Sequence, residues 1–260
     1  MTNMKKLLEA NAGHGQRRVS QVFRDFCELA ALAIRNSVDP HGQTEREERY
    51  LSIARGYTSE EASRFAEALA HLALQLEEGF SDALGHLYMS LDLGNESIGQ
   101  FFTPYDVGLV IAKMNVGNIL GQLAEKEFVT VQEPAVGSGG MIIALADALR
   151  EEGVNYQQSM HVTARDLDIT AVHMTYIQLT LINVAAVVVH GNTLTMEELD
   201  TWPTPAHVIG GWAERLQLRH AETTPQTVPG HAQRGMGAED YCTCDGPWPC
   251  PQAAETADAA

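Results

Sequence analysis

A short strand that runs into a glycine-rich turn and then a helix constrains the fold of this chain more than any other feature. The β-branched run Val129-Thr130-Val131 predicts a buried strand. Glu133 and Pro134 end it, glycines follow at 137, 139 and 140, and an apolar helical pattern begins at Met141. Such a unit places backbone N–H groups and the positive end of a helix dipole at the carboxyl edge of a parallel sheet. The segment therefore predicts an α/β fold that binds a nucleotide-like ligand at this edge.

Two further strands continue the α/β pattern. Met160 to Ala164 predicts the second strand, and Asp166 stands at its tip. An aspartate there is the usual partner of ribose hydroxyls, because its two oxygens match a vicinal diol. Asp168 is assigned to the cap of the next helix, on whose flank His173 is expected without a role. The alternative is that both aspartates are surface acids in a loop. The apolar run Ala185 to Val189 predicts a third strand that is covered on both faces.

Two motifs resemble those of N6-adenine DNA methyltransferases, in particular the modification subunits of type I restriction systems. Glu133-Pro134-Ala135-Val136-Gly137-Ser138-Gly139-Gly140 resembles the S-adenosylmethionine loop of that family. Gly99-Gln100-Phe101-Phe102-Thr103-Pro104 resembles its other cofactor motif, and the order and spacing of the two motifs fit the family. The resemblance covers residues 80 to 194, approximately.

The resemblance implies a class I methyltransferase domain that binds S-adenosylmethionine. Phe101 or Phe102, together with Thr103, would contact the methionine end or the adenine of the cofactor. The alternative for this segment is a helix capped by Thr103 beside two buried phenylalanines. Asn192 stands where the family usually has an aspartate near the cofactor adenine, so it keeps an acceptor oxygen but loses the charge. The residues expected to bind the cofactor are Phe101, Phe102, Thr103, Glu133, Pro134, Gly137, Ser138, Gly139, Asp166 and Asn192.

Three regions are predicted along the chain. Residues 1–97 are expected to be all-helical and resemble the helical domain that helps form the DNA cleft of type I modification subunits; the alternative is a helical cap without a ligand role. Residues 98–220 are expected to form the cofactor-binding Rossmann-like domain. Only three strands are clear in it, so the parallel sheet is either truncated or completed by a partner chain. Residues 221–260 predict a disordered tail. Its Cys242, Cys244 and Cys250 are assigned no metal, because their spacing does not suit zinc.

The catalytic motif of the family is not recognisable. Family members carry a strand that ends in Asn/Asp-Pro-Pro-Tyr/Phe, which holds the flipped adenine. Here the segment Asp200-Thr201-Trp202-Pro203-Thr204-Pro205-Ala206-His207 has two prolines and an aromatic residue in another order. We predict that Met196 to Leu199 is helical or turn-like, and that a proline-rich surface turn precedes a helix from Val208 to Leu218. A divergent catalytic loop is the alternative, and no catalytic residue is assigned.

The net charge argues against DNA binding by this chain alone. Seventeen Lys and Arg against thirty-four Asp and Glu give a charge of −17. Because phosphate neutralisation supplies most non-specific DNA affinity, an acidic chain needs a local basic patch or a basic partner subunit. No apolar run is long enough to span a membrane, and four cysteines without a paired framework fit the cytoplasm.

These observations lead to two hypotheses of function. The first is a DNA adenine-N6 methyltransferase of the restriction–modification type that retains its S-adenosylmethionine pocket. The second is a catalytically inactive accessory or anti-restriction-like protein that binds the cofactor. A nicotinamide-dependent dehydrogenase is disfavoured, because the Gly-x-Gly-x-x-Gly spacing is absent after the first strand.

Overall fold

The computed structural model describes residues 2–13, 17–91, 93, 102–223, 233–234 and 241–242. The chain divides into two compact units, Met1–Trp212 and Ala213–Ala260. The first unit is an α/β structure in which helices precede a four-stranded sheet. This confirms the predicted fold class.

The first part of this unit is helical, as predicted. Its helices are α1 (Thr2–Ala12), α2 (Val19–Val38), α3 (Gln43–Ala54), α4 (Ser59–Glu78) and α5 (Ala83–Ser90). A capping box starts α4, because the Thr58 hydroxyl accepts from the Glu61 backbone N–H and the Glu61 carboxylate accepts from the Thr58 backbone N–H. α2 buries one apolar face in the core and leaves its charged residues on the opposite side of the helix.

The second part alternates strands and helices. Its elements are α6 (Tyr105–Leu123), β1 (Val129–Glu133), α7 (Gly140–Glu151), α8 (Tyr156–Ser159), β2 (Met160–Asp166), α9 (Ile169–Leu181), β3 (Ala185–Asn192), β4 (Glu197–Pro203) and α10 (Pro205–Ile209). α9 is buried almost all round, since ten consecutive residues, Thr170 to Leu179, lie in the interior. It therefore connects the sheet to the helical part, packing against α2, α5, β2 and β3.

The sheet order is β1-β2-β3-β4, with the first three strands parallel. Glu133 pairs with Ala164, and Asp166 pairs with His190. Asn192 ends β3 two residues beyond His190. The carboxyl ends of β1, β2 and β3 therefore meet at one edge, as the sequence predicts for a ligand site.

The prediction for residues 197–203 is wrong. Glu197–Pro203 forms β4, antiparallel to β3, instead of a helical or turn-like segment and a surface turn. This edge strand has no apolar alternation, because Trp202 is its one buried residue. Tertiary ion pairs hold it: Arg165 contacts Glu198 at 2.5 Å, and Arg35 contacts Asp200 at 3.1 Å. The predicted helix 208–218 is likewise interrupted at Gly210 and Gly211, where α10 ends before α11 (Trp212–Thr223) begins.

In the second unit, the described residues complete α11 and form β5 (Gln233–Arg234) and β6 (Tyr241–Cys242), which pair antiparallel. The rest of the predicted tail, with Cys244 and Cys250, lies outside the described residues. Across the described part of the chain, every helix is too short or too polar to cross a membrane.

Candidate functional site

The turn between β1 and α7 has a geometry that only glycine adopts easily. Gly137 has a φ of 58° and Gly139 a φ of 96°, both in the left-handed region. A Cβ atom on Gly137 would lie 2.8 Å from Cδ1 of Phe102, which is a clash. A Cβ atom on Gly139 would lie 3.3 Å from the hydroxyl oxygen of Thr175. The tight turn predicted from the glycine pattern is therefore present, and its backbone packs directly against Phe102 and Thr175.

Asp166 at the tip of β2 holds this turn in place. Its Oδ2 atom accepts a hydrogen bond from the Gly137 backbone N–H at 2.8 Å, and its Oδ1 atom accepts from the Asp168 backbone N–H at 2.9 Å. Each oxygen keeps a lone pair for a further donor, which is what recognition of a vicinal diol requires. Asp168 caps α9 by accepting from the Thr170 backbone N–H at 2.8 Å, which confirms its predicted role.

A cavity of about 190 Å³ opens beside the turn. Five of the predicted cofactor residues line it. The full lining consists of Asp82, Phe102, Thr103, Ala135, Val136, Gly137, Ser138, Gly140, Met141 and Asp166. Phe101, also predicted, lies outside the described residues, as do Gly99 and Gln100 of the same motif.

Phe102 and Thr103 approach the turn from the segment that precedes α6. The Phe102 ring packs on Tyr88, with centroids 5.3 Å apart, while Thr103 is exposed. Pro104 occupies the N-cap position of α6, and its carbonyl accepts from the Val107 and Gly108 backbone N–H groups. The predicted cap at Thr103 is therefore wrong by one residue, because Pro104 starts the helix through its own carbonyl.

The other predicted residues stand at the same sheet edge without lining the cavity. Glu133 Oε1 accepts from the Ala135 backbone N–H at 3.3 Å, and the Pro134 carbonyl accepts from the Thr193 hydroxyl at 2.5 Å. Asn192 Oδ1 accepts from the backbone N–H groups of residues 194 and 195, so its oxygen stabilises its own turn. Their contacts with a cofactor, and that of Gly139, stay predictions.

A buried polar network behind the turn involves two residues that the sequence analysis did not select. The Ser138 hydroxyl donates to Asp82 Oδ2 at 2.5 Å. The Gln178 amide nitrogen donates to Asp82 Oδ1 at 2.9 Å and to the Ser138 carbonyl at 2.7 Å. The Gln178 amide oxygen accepts from the Leu84 backbone N–H at 3.0 Å. α5 of the helical part is thereby tied to the glycine turn.

The sequence contains a local signal for Asp82 and another for Gln178, but it does not indicate that the two residues contact each other. Asp82 directly precedes an apolar helix start and caps α5 by accepting from the Gly85 backbone N–H at 3.0 Å. Gln178 is an amide within the most apolar helix of this region, where a polar residue without a partner would be costly. Neither signal says that the two residues meet.

The segment around Trp202 lies far from this site. Pro203 pairs with Val187 near the amino end of β3, whereas Glu197 pairs with Asn192 at the carboxyl end. With a rise of about 3.3 Å per residue, Pro203 is roughly 17 Å from the cavity edge of the sheet. Trp202 is buried, with its ring centroid 5.4 Å from that of Tyr176. The structure therefore gives no support to a divergent catalytic loop at residues 200–207.

A second cavity, of about 390 Å³, lies between α2, α3 and the start of α9. His173 lines it from a flank of α9, where it is buried and packs against Trp202, with ring centroids 4.8 Å apart. Burial lowers the pKa of His173 to about 4. At the rim, Arg49 forms a bidentate pair with Glu28, and Arg24 is exposed without an ion pair to any described residue.

The chemistry of the first cavity suits a cationic nucleoside. Its described lining contains two carboxylates, Asp82 and Asp166, and neither Lys nor Arg. A polyphosphate nucleotide would meet repulsion there, because anions need positive partners. A ligand with a sugar diol and a positive charge fits the donors and acceptors that are present, so S-adenosylmethionine, which the sequence resemblance implies, passes this test.

The comparisons with known proteins include a family model and a solved structure. The family model described as N-6 DNA Methylase matches residues 81–211, about half of the chain, and this range contains every residue that lines the cavity. The crystal structure of a protein from Listeria monocytogenes, assigned to the class I S-adenosylmethionine-dependent methyltransferases, is similar, with 17% sequence identity and a TM-score of 0.42. The match covers 76% of this chain and 55% of that chain, so this chain spans about half the length of that protein. A search of curated proteins found no match.

Proposed function

The chain belongs to the N-6 DNA methylase family, whose methyl donor is S-adenosylmethionine, and we propose that it binds this cofactor at the glycine turn for methylation of adenine N6 in DNA. The observation that carries the proposal is the hydrogen bond between Asp166 and Gly137. It joins the predicted sugar-binding carboxylate to the predicted cofactor turn in one cavity wall.

The residues of this chain would act by binding and positioning. When bound, the cofactor supplies a methyl group that its sulfonium charge has already activated. Asp166 would accept from the sugar hydroxyls, and the backbone at Gly137 and Ser138 would border the methionine end. Phe102 and Thr103 would close the cavity on the side of α6. Orientation is the main contribution of such a site, because the chemistry is a direct transfer to an amine.

The group that holds the target adenine would come from a partner subunit. No two prolines are adjacent in the 260 residues, and the Trp202–Pro203 segment points away from the cavity edge. β1 is an edge strand of the described sheet, and Thr130 and Gln132 on it are exposed. An unpaired strand edge is a ready site for another strand. A partner that completes the sheet beside β1 would sit next to the cofactor turn.

Residues 1–64 are far less acidic than the rest of the chain, so they are the better candidate for a surface that faces DNA. Ten of the seventeen Lys and Arg residues lie within residues 1–64, together with nine of the thirty-four acidic residues. This part is therefore nearly neutral, whereas the remainder of the chain is strongly acidic. Arg24, exposed and without an ion pair among the described residues, is a candidate for a phosphate contact. DNA would approach from this side, in a cytoplasmic restriction–modification complex.

A second function is favoured by the buried Trp202 and the charge of −17. In it, the chain binds S-adenosylmethionine but transfers no methyl group, and acts as an accessory or anti-restriction-like protein. The two functions share the cavity and differ in the chemistry.

Two measurements separate the possibilities. Isothermal titration with S-adenosylmethionine tests the cavity, with the Asp166→Ala variant as the comparison. Transfer of a radiolabelled methyl group to unmethylated DNA, with and without candidate partner subunits from the same genome, tests the chemistry. Transfer only with a partner supports the first function, and binding without transfer under either condition supports the second. A wild-type chain that binds no cofactor contradicts both.

A further inference from the structure

We propose that Asp82 makes the site prefer the positively charged methyl donor over its product, S-adenosylhomocysteine, whose sulfur is neutral. The inference rests on the proposed function, because it assumes that the cofactor occupies the cavity beside the glycine turn. It assigns Asp82 a role in ligand selection in addition to its place at the start of α5.

Asp82 is a buried carboxylate that has no cationic partner among the residues that the structure describes. Its exposed fraction is 2%, and it forms no ion pair with any residue that the structure describes. Three donors hold it: the Gly85 backbone N–H at 3.0 Å, the Gln178 amide at 2.9 Å and the Ser138 hydroxyl at 2.5 Å. Burying a charge is costly unless hydrogen bonds or an opposite charge compensate it. All of the compensation seen here comes from neutral groups.

Two helix starts explain how this charge is tolerated. Asp82 is the N-cap of α5, and a Cβ atom on Gly140, the first residue of α7, would lie 3.0 Å from Asp82 Oδ2. The positive ends of both helix dipoles therefore stabilise the carboxylate. Dipoles and hydrogen bonds lower its energy without cancelling its charge, so it still attracts a cation that enters the cavity.

The charges that line the cavity favour the cationic donor over the product. Asp82 lines the cavity together with Asp166, and the described lining contains no Lys or Arg that would offset them. The sulfonium charge is present in the donor and is lost when the methyl group leaves, whereas the sugar, the adenine and the amino acid end are common to donor and product. Asp166, assigned to the sugar, therefore serves both ligands equally. Only a charge near the sulfur distinguishes them. The proposed function puts the methionine end of the ligand at Ser138, and Asp82 accepts from the Ser138 hydroxyl, so Asp82 is the carboxylate of the lining that we assign to that end.

The Asp82→Asn variant removes the charge and keeps the shape. The remaining Oδ1 can still accept from Gly85 and Gln178, and the new amide can donate to the Ser138 hydroxyl oxygen. Ser138→Ala is a matched control, because it removes one hydrogen bond to Asp82 and leaves the carboxylate. Asp166→Asn is a second control at the sugar end of the same cavity.

The test is isothermal titration of the wild type and these variants with three ligands. They are S-adenosylmethionine, S-adenosylhomocysteine and sinefungin, an analogue that carries an ammonium group in place of the methylated sulfur. Thermal melting of each variant shows whether it is folded. In Asp82→Asn, we expect the dissociation constants of the two cationic ligands to rise at least about tenfold relative to that of S-adenosylhomocysteine. Ser138→Ala and Asp166→Asn should leave the ratio between the ligands unchanged.

Two results overturn the inference. A folded Asp82→Asn variant that weakens all three ligands equally shows that Asp82 acts on the shape of the site alone. If Asp82→Asn binds all three ligands with the same dissociation constants as the wild type, the neighbouring dipoles cancel the charge of Asp82. Failure of the proposed function has a different signature, because the wild type would then bind none of the three ligands.

Discussion

The Oδ2 atom of Asp166 lies 2.8 Å from the backbone nitrogen of Gly137, 29 residues earlier in the chain, and accepts its hydrogen. The tip of the second strand thus fixes the turn that follows the first strand. One carboxylate both orders the backbone of the site and borders the cavity. Changes at Asp166 should therefore affect ligand binding more than changes at other acids of the same sheet and its helices.

Replacement of Asp166 by alanine tests this relationship. We expect Asp166→Ala to weaken S-adenosylmethionine binding by at least about 1 kcal/mol, because hydrogen bonds to a charged group contribute that much or more. Isothermal titration measures the change. Glu152→Ala, at the exposed far end of α7, is the matched control and should leave the dissociation constant as it is. An equal constant for Asp166→Ala and the wild type would remove Asp166 from the site.

Alanine at Gly137 should disturb the turn. The new Cβ would lie 2.8 Å from Phe102 at a φ of 58°, so the variant should lose about 1–2 kcal/mol of the free energy of unfolding and bind the cofactor more weakly. Gly117→Ala is the control, because that glycine lies within α6 with no atom near its Cβ position. There alanine should raise stability by about 0.5–1 kcal/mol. Urea unfolding compares the two; a stable Gly137→Ala variant with normal binding would contradict the account of the turn.

Truncation of Gln178 should destabilise the fold. In Gln178→Ala, the Leu84 backbone N–H and the Ser138 carbonyl lose buried partners, and Asp82 loses one of its three donors. Each unsatisfied buried polar group costs about 1–3 kcal/mol, so we expect a loss of at least about 3 kcal/mol. Asn118→Ala, an amide truncation at an exposed position of α6, should cost far less. Chemical denaturation gives both values, and similar losses would mean that the network contributes little.

The buried His173 should make stability fall in mild acid. Its pKa is about 4 in the folded protein and near 6.5 when exposed, so the unfolded chain takes up the proton first. Stability from this group is complete above about pH 6.5, declines as the pH falls and is lost near pH 4. Protonation of this one histidine should lower the free energy of unfolding by about 3 kcal/mol in total between these two pH values.

Urea unfolding at pH 7 and pH 4.5 measures this loss. His173→Gln removes the titration, so that variant should lose up to about 3 kcal/mol less than the wild type on acidification. His41→Gln, at a side chain that is 96% exposed, should behave as the wild type does. Parallel losses in the wild type and His173→Gln would contradict the assignment of a buried neutral imidazole.

Local sequence patterns were sufficient to predict the glycine turn after β1 and the positions of the strand tips. The positive φ angles at 137 and 139 favour glycine. Asp166 stands at the end of β2, and because β2 is parallel to β1, the carboxyl ends of the two strands lie side by side. Asn192 was correctly placed at the same edge, but its oxygen bonds to the backbone of its own turn, which depends on local geometry that a motif does not describe.

Contacts between distant segments explain what could not be predicted. In β4, Arg35 and Arg165 pair with two acids of the strand and Trp202 packs against Tyr176 of α9, and these contacts with distant segments are not visible in its own residues. The contact between Asp82 and Gln178 joins residues 96 positions apart. His173 is buried because α2 and β4 cover the helix flank on which it lies.

Hydrogen bonds among Asp82, Ser138 and Gln178 connect the start of α5 rigidly to the turn after β1. A cut between the helical part and the sheet would therefore separate Asp82 from the other residues that line the cavity. Replacement of the helical part by another would therefore remove Asp82 from the cavity wall and leave the Ser138 hydroxyl without its carboxylate partner.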